Sequence, residues 1–102
     1  MDINKCKVGN QIKFNGEDTV YTVQARDRRF VVANNTEKRL YTILDLRYGW
    51  RGCENLAFGQ PQGTREECEQ TIARLNGLVK GRAATAIKTE SRVKFYVDYI
   101  RQ

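Results

Sequence analysis

The sequence predicts an α+β fold: a bent antiparallel sheet or small barrel, one helix over about residues 65–76, and a C-terminal β-hairpin. Three observations carry this expectation. Short runs of β-branched and aromatic residues, separated by tight polar turns, fill the first half of the chain. A capping box at Thr64 opens a stretch with apolar positions at helical spacing. Near the end, Val93, Phe95, Val97 and Tyr99 alternate with Lys94, Tyr96 and Asp98, as a strand with two unlike faces requires.

The elements follow in order. In Val8–Phe14, Ile12 and Phe14 alternate with polar neighbours, the period of a strand with one wet face. Asn15-Gly16-Glu17-Asp18 is a turn in which Gly16 takes a positive φ without penalty. Val20–Ala25 reads as a second strand. A charged turn, Arg26-Asp27-Arg28-Arg29, leads into a third at Phe30–Ala33. Asn34-Asn35-Thr36-Glu37 turns the chain into a fourth at Leu40–Leu46. Four short strands joined by tight turns are read most economically as an antiparallel meander, which bends here into a sheet or SH3-like barrel.

Residues 47–63 break the pattern with four glycines and the only proline, so the segment reads mainly as loop, with a short strand around Leu56–Phe58. At Thr64-Arg65-Glu66-Glu67 the Thr64 hydroxyl can accept from the Glu67 amide while Glu67 reaches back. Glu66, Glu67 and Glu69 sit where the helix dipole favours negative charge. Cys68, Ile72, Leu75 and Val79 form one apolar face, and Asn76-Gly77 is the expected stop. Ala83–Lys88, a turn at Thr89-Glu90-Ser91, and Arg92–Ile100 make the expected hairpin. At 102 residues, with 40% hydrophobic side chains, one domain spanning residues 1–102 is expected.

Composition narrows the chemistry. No stretch approaches the ~18 apolar residues of a membrane span, and the first residues lack the apolar core of a signal peptide, so a cytoplasmic protein is expected. Three cysteines (Cys6, Cys53, Cys68) with no C-x-x-C pair point to free thiols rather than disulfides or zinc. The absence of histidine removes the commonest general base and the commonest transition-metal ligand. With one serine, in a turn, and no phosphate-loop or nucleotide fingerprint, neither enzymatic activity nor a cofactor or metal is expected.

Binding remains. Net charge is +6, and residues 26–51 alone carry seven cations against three carboxylates. Arg47, Tyr48, Trp50 and Arg51 lie in a glycine-flanked loop, and Trp, Tyr and Arg dominate binding hot spots and stack on bases. Equally, Tyr48 and Trp50 can serve to pack that loop onto the sheet. Arg26, Arg28 and Arg29 form a second basic set in the turn between strands two and three, readable as a solvated rim. Lys38 and Arg39 stand at the opposite end of a meander.

Several blocks resemble a family of small uncharacterised proteins of phages and prophage-bearing bacteria: Lys7-Val8-Gly9 to Phe14, Tyr21-Thr22-Val23-x-Ala25, Tyr41-Thr42-Ile43-x-Asp45, Gly49-x-Arg51-Gly52-x-x-Asn55-Leu56-x-Phe58-Gly59 and Thr64-x-x-x-Cys68. The likeness spans residues 7 to about 76. Cys53 stands where the family pattern has proline, and Trp50 where it has a smaller residue. The resemblance implies a mobile-element origin without implying an activity, and it suggests that Asp45, Arg51 and Asn55 hydrogen-bond the loop into shape. The expected function is a phage-type accessory protein that binds nucleic acid or another phosphate-bearing ligand. The alternative is an inhibitor of a host protein such as an anti-phage defence complex.

Overall fold

A computed structural model describes residues 3–52, 54, 57 and 59–80, with the backbone alone of Trp50, 93–94 and 97–100. A short 3-10 turn (Ile3–Lys5) precedes five strands: β1 (Gln11–Phe14), β2 (Tyr21–Arg26), β3 (Phe30–Asn35), β4 (Leu40–Asp45) and β5 (Trp50–Arg51). Each pairs antiparallel with the next in sequence, so the meander read from the turn signals is the sheet that forms. The helix α1 covers Arg65–Lys80. The fold is α+β, a curled antiparallel sheet with one helix against it.

Both faces of the sheet are covered, and the sequence of β3 shows why that is possible. Its residues Phe30 to Asn34 are all buried, with Phe30 and Val32 facing one way and Val31 and Ala33 the other. On one face Phe30, Val32, Ile43 and Ala57 pack with Cys68, Ile72 and Leu75 of α1. Inside the curl, Ile3, Cys6, Ile12, Phe14, Tyr21, Val23 and Leu44 form a second apolar layer. The ring of Phe14 meets that of Tyr21 edge-on, with centroids 5.7 Å apart. Strand β2 serves both layers because it carries a bulge. Val23 pairs with Ala33 and Ala25 with Val32, so one extra residue, Gln24, shifts the parity. Tyr21 and Val23 therefore enter the inner layer, whereas Ala25 enters the helix layer.

The capping box forms as the sequence requires. Glu67 N donates to Thr64 Oγ1 at 3.1 Å, and Thr64 N donates back to Glu67 Oε1 at 2.9 Å. Thr64→Ala is expected to lower stability by about 1 kcal/mol in urea unfolding, with Thr64→Ser largely retaining it.

The helix end differs from the expected stop at Asn76-Gly77: the helix runs on through Gly77 to Lys80. Two features explain it. Leu78 and Val79 pack against the helix-side layer, a gain that offsets the ~1 kcal/mol preference against a helical glycine. Asn76 is not a cap. Its side chain donates to Asp27 Oδ2 at 2.6 Å and ties the helix to the β2–β3 turn.

Of the expected C-terminal hairpin, the first arm (83–88) lies outside the described residues. In the second arm, β7 (Val97–Ile100) pairs with β1 and β6 (Val93–Lys94) pairs with β5, so both edges of the meander are extended. The short strand expected near Leu56–Phe58 also falls largely outside the described residues. Ala57 is buried there, and after β5 the carboxylate of Glu54 accepts from Ile43 N at 3.2 Å, where a strand carbonyl would otherwise stand.

Candidate functional site

The register Phe30↔Asp45 brings the β2–β3 turn and the β4–β5 turn to the same end of the sheet. Leu46 N donates to Arg29 O at 2.7 Å and joins the two turns directly. Asp27 shapes the first turn by accepting from Arg29 N at 2.8 Å and Phe30 N at 2.7 Å through one carboxylate oxygen. Asp45 shapes the second, accepting from Arg47 N at 3.1 Å. Fully buried, Asp45 also takes a two-pronged bond from Arg29, at 3.1 Å from Nε and 2.9 Å from Nη2. The Arg29 guanidinium lies 4.9 Å from the centre of the Phe30 ring and 5.3 Å from that of Tyr48.

This geometry sorts the arginines of the two basic sets that the sequence offers. Arg29 is committed to Asp45. Arg26 holds the N-terminal turn, donating to Cys6 O at 2.7 Å and Ile3 O at 3.4 Å. Arg51 is drawn to the inner layer: it stacks 3.7 Å from the Phe14 ring centre, donates to Thr42 Oγ1 at 3.2 Å and forms a two-pronged pair with Glu17. Arg28 and Arg47 are different. Both are exposed on the paired turns, and neither forms an ion pair among the described residues. Arg47 leans on the half-buried Tyr48, with 5.5 Å between its guanidinium and the ring centre. The structure thus brings Arg28, Arg29, Arg47 and Tyr48 together and places Arg26 and Arg51 in structural roles. The Trp50 side chain and all of Asn55 lie outside the described residues.

Electrostatics fit this division. Hydrogen bonding to Arg51 holds the Glu17 carboxyl below its ordinary range. Burial disfavours the Arg51 cation, but the Glu17 partner outweighs it and raises its pKa. At Asp27 burial acts to raise the carboxyl, yet donation from Phe30, Asn76 and Arg29, with the charge of Arg26, brings it below the ordinary range. A depressed native pKa contributes stability that is complete above the unfolded value of about 4 and is lost as pH falls through the native one. Asp27→Asn is accordingly expected to flatten the fall of unfolding free energy below about pH 4, read by denaturant titration at several pH values.

Burial disfavours the thiolate at the two described cysteines. Cys6 and Cys68 are buried and unpaired, and burial pushes the Cys68 thiol up to about 11, with Glu67 and Glu69 adding to the shift. Cys53 lies outside the described residues. Among the described residues no group of three or more His, Cys, Asp or Glu side chains is placed to hold a metal, and no helix is long and apolar enough to cross a membrane.

One arrangement has no counterpart in the sequence reading. A chain of amides, buried at Asn34 and Gln62, joins sheet to helix. Gln24 Nε2 donates to Asn34 Oδ1 at 3.1 Å, and Asn34 Nδ2 to Gln62 O at 2.7 Å. Gln62 Nε2 then donates to Gln60 O at 2.9 Å and Thr71 Oγ1 at 2.5 Å. Its only sequence signal is the density of polar residues in Gln60-Pro61-Gln62-Gly63, which reads equally as a solvated loop.

The chain matches no protein-family model, no curated protein and no solved structure.

Proposed function

We propose that the chain is a non-catalytic binding protein whose ligand is nucleic acid, held by its phosphates at the sheet end that carries Arg28 and Arg47. The observation that supports this reading is the contrast between these two cations and the other arginines nearby. Arg29 and Arg51 spend their donors on carboxylates, and Arg26 spends its on backbone carbonyls. Arg28 and Arg47 present theirs to solvent from turns that Asp27 and Asp45 hold in place. Preorganised cations of this kind meet phosphate with little loss of conformational freedom. The net charge of +6 supplies the long-range attraction. Trp50, on the strand that leaves the second turn, is the candidate base-stacking residue in this proposal.

Fluorescence anisotropy of labelled single- and double-stranded oligonucleotides, titrated across salt concentrations, tests the reading. Phosphate contacts release counterions, so log K should fall linearly with log[salt]. Arg28→Ala with Arg47→Ala is expected to weaken binding for every sequence and to reduce the slope by about two, one for each phosphate no longer neutralised. Retention of the full slope by this double variant contradicts the proposed site. An absence of oligonucleotide binding at low salt contradicts the nucleic-acid reading itself.

A further inference from the structure

Toward the end of the sheet opposite Arg28 and Arg47, the helix-side face changes character. The cross-strand row Ala25–Val32–Ile43 packs in the helix-side layer. The next row on that face, Gln11–Thr22–Asn34–Tyr41 in register across β1 to β4, is polar. Two hollows lie along it. One, of about 290 Å³, has Leu40, Tyr41 and Arg39 in its lining. The other, of about 350 Å³, has Gln11, Thr22, Gln24 and Glu37. They adjoin at Asn34, Asn35 and Thr36, which line both. The side chains of Gln11, Thr22 and Thr36 make no hydrogen bond among the described residues. Gln24 is held in place by donating to Asn34, whose own amide donates to Gln62 O, so its Oε1 stays unspent. Glu37 and Arg39 are the only charged residues of the lining and they cancel, in a chain of net charge +6.

We infer that this groove binds a neutral oligosaccharide, its hydroxyls on Gln11, Thr22 and Gln24 and the C–H face of one ring toward Leu40 and Tyr41. Four strands at their usual spacing span roughly 14 Å, room for about three pyranose units. Three features select this class. A sugar hydroxyl both donates and accepts, as do amide and hydroxyl side chains, so each contact can be matched in both senses. A pyranose ring joins a polar edge to an apolar face, as this groove joins a polar β1–β2 side to the Leu40–Tyr41 side. Its cancelled charge gives a phosphate nothing to prefer. A peptide strand is the other ligand rich in both donors and acceptors, but it adds to a free sheet edge. Here β1 is paired with β7 and β5 with β6, and the groove crosses the strands on their face. The inference goes beyond the nucleic-acid reading and does not depend on it.

The test is an array of neutral and anionic oligosaccharides probed with the full chain at low and high salt, followed by nitrogen-15 amide titration with the best-retained neutral trisaccharide. At least one neutral glycan is expected to be retained equally at both salt concentrations, since no counterions are released. Saturable shifts are expected at Thr22, Gln24, Asn35, Thr36 and Tyr41. Thr22→Val with Gln11→Ala should weaken binding at least about tenfold through lost hydrogen bonds, with melting temperature and oligonucleotide affinity unchanged. Retention of no neutral glycan, or of sulfated and sialylated ones alone, overturns the inference. Shifts confined to residues 28–29 and 46–48, or a double variant that binds the trisaccharide normally, overturn it too.

Discussion

Asp45→Ala is expected to destabilise the folded chain by about 3–5 kcal/mol, the range for removing one partner of a buried ion pair. Asp45 is fully buried, and the Arg29 side chain is only 13% exposed. Removing the carboxylate strands a guanidinium against Phe30 and Tyr48 and leaves Arg47 N without its acceptor. The rings soften the loss but do not replace two charge-assisted hydrogen bonds. Asp45→Asn keeps one acceptor oxygen and should fall between wild type and alanine. Because Asp45 also positions the backbone of Arg47, the asparagine variant links stability to the proposed phosphate site. Urea unfolding measures the first quantity and oligonucleotide affinity the second. An alanine variant within about 1 kcal/mol of wild type would show that the pair is dispensable.

Phe30→Ala carries the other large effect, about 3–5 kcal/mol. Phe30 is the largest of the fully buried side chains among the described residues and sits where β3 meets Ile72 and Leu75 across the helix-side layer. The sheet behind it is covered on its other face by Val31 and its neighbours, so collapse into the void is restricted. Phe30 is also the register partner of Asp45 and lies under the Arg29 guanidinium. The two substitutions should therefore be non-additive by at least about 0.5 kcal/mol, whereas Phe30→Ala and Thr64→Ala should simply add. A coupling near zero would mean that Arg29 and Phe30 are neighbours without interaction.

These contacts explain which parts of the structure the sequence makes legible. Turn residues and β-branched runs gave away the meander, and Thr64 with Glu67 gave away the helix start, because both are local signals. What escapes is non-local. Nothing in Val23-Gln24-Ala25 marks the bulge, since its effect lies in a parity that only β3 reveals. The helix passes Gly77 because Leu78 and Val79 find a layer built by residues some 35 to 50 positions earlier, Phe30 and Ile43 among them.

The candidate site shows the same division. Residue type placed Arg26, Arg29 and Arg51 alongside Arg28 and Arg47, since a charge count cannot tell a paired cation from a solvated one. The partners that separate them, Asp45 for Arg29, Glu17 for Arg51 and the Cys6 carbonyl for Arg26, lie 16 to 34 residues away in sequence. The suggestion that Asp45 shapes its loop agrees with the bond it accepts from Arg47 N, whereas Arg51 bonds across the sheet to Thr42 and to Glu17, and Asn55 lies outside the described residues. Gln62, by contrast, looks like a loop residue until its amide is seen buried beside Thr71.

In the proposed binding mode one end of the sheet, and not the protein's general basicity, is expected to meet the phosphates. A nitrogen-15 amide titration with a short oligonucleotide at moderate salt reads this directly. The account predicts saturable shifts concentrated at Arg28, Arg29, Leu46, Arg47 and Tyr48, with the amides of β1 unmoved. Shifts spread evenly over the scattered lysines, or centred elsewhere on the chain, would contradict it.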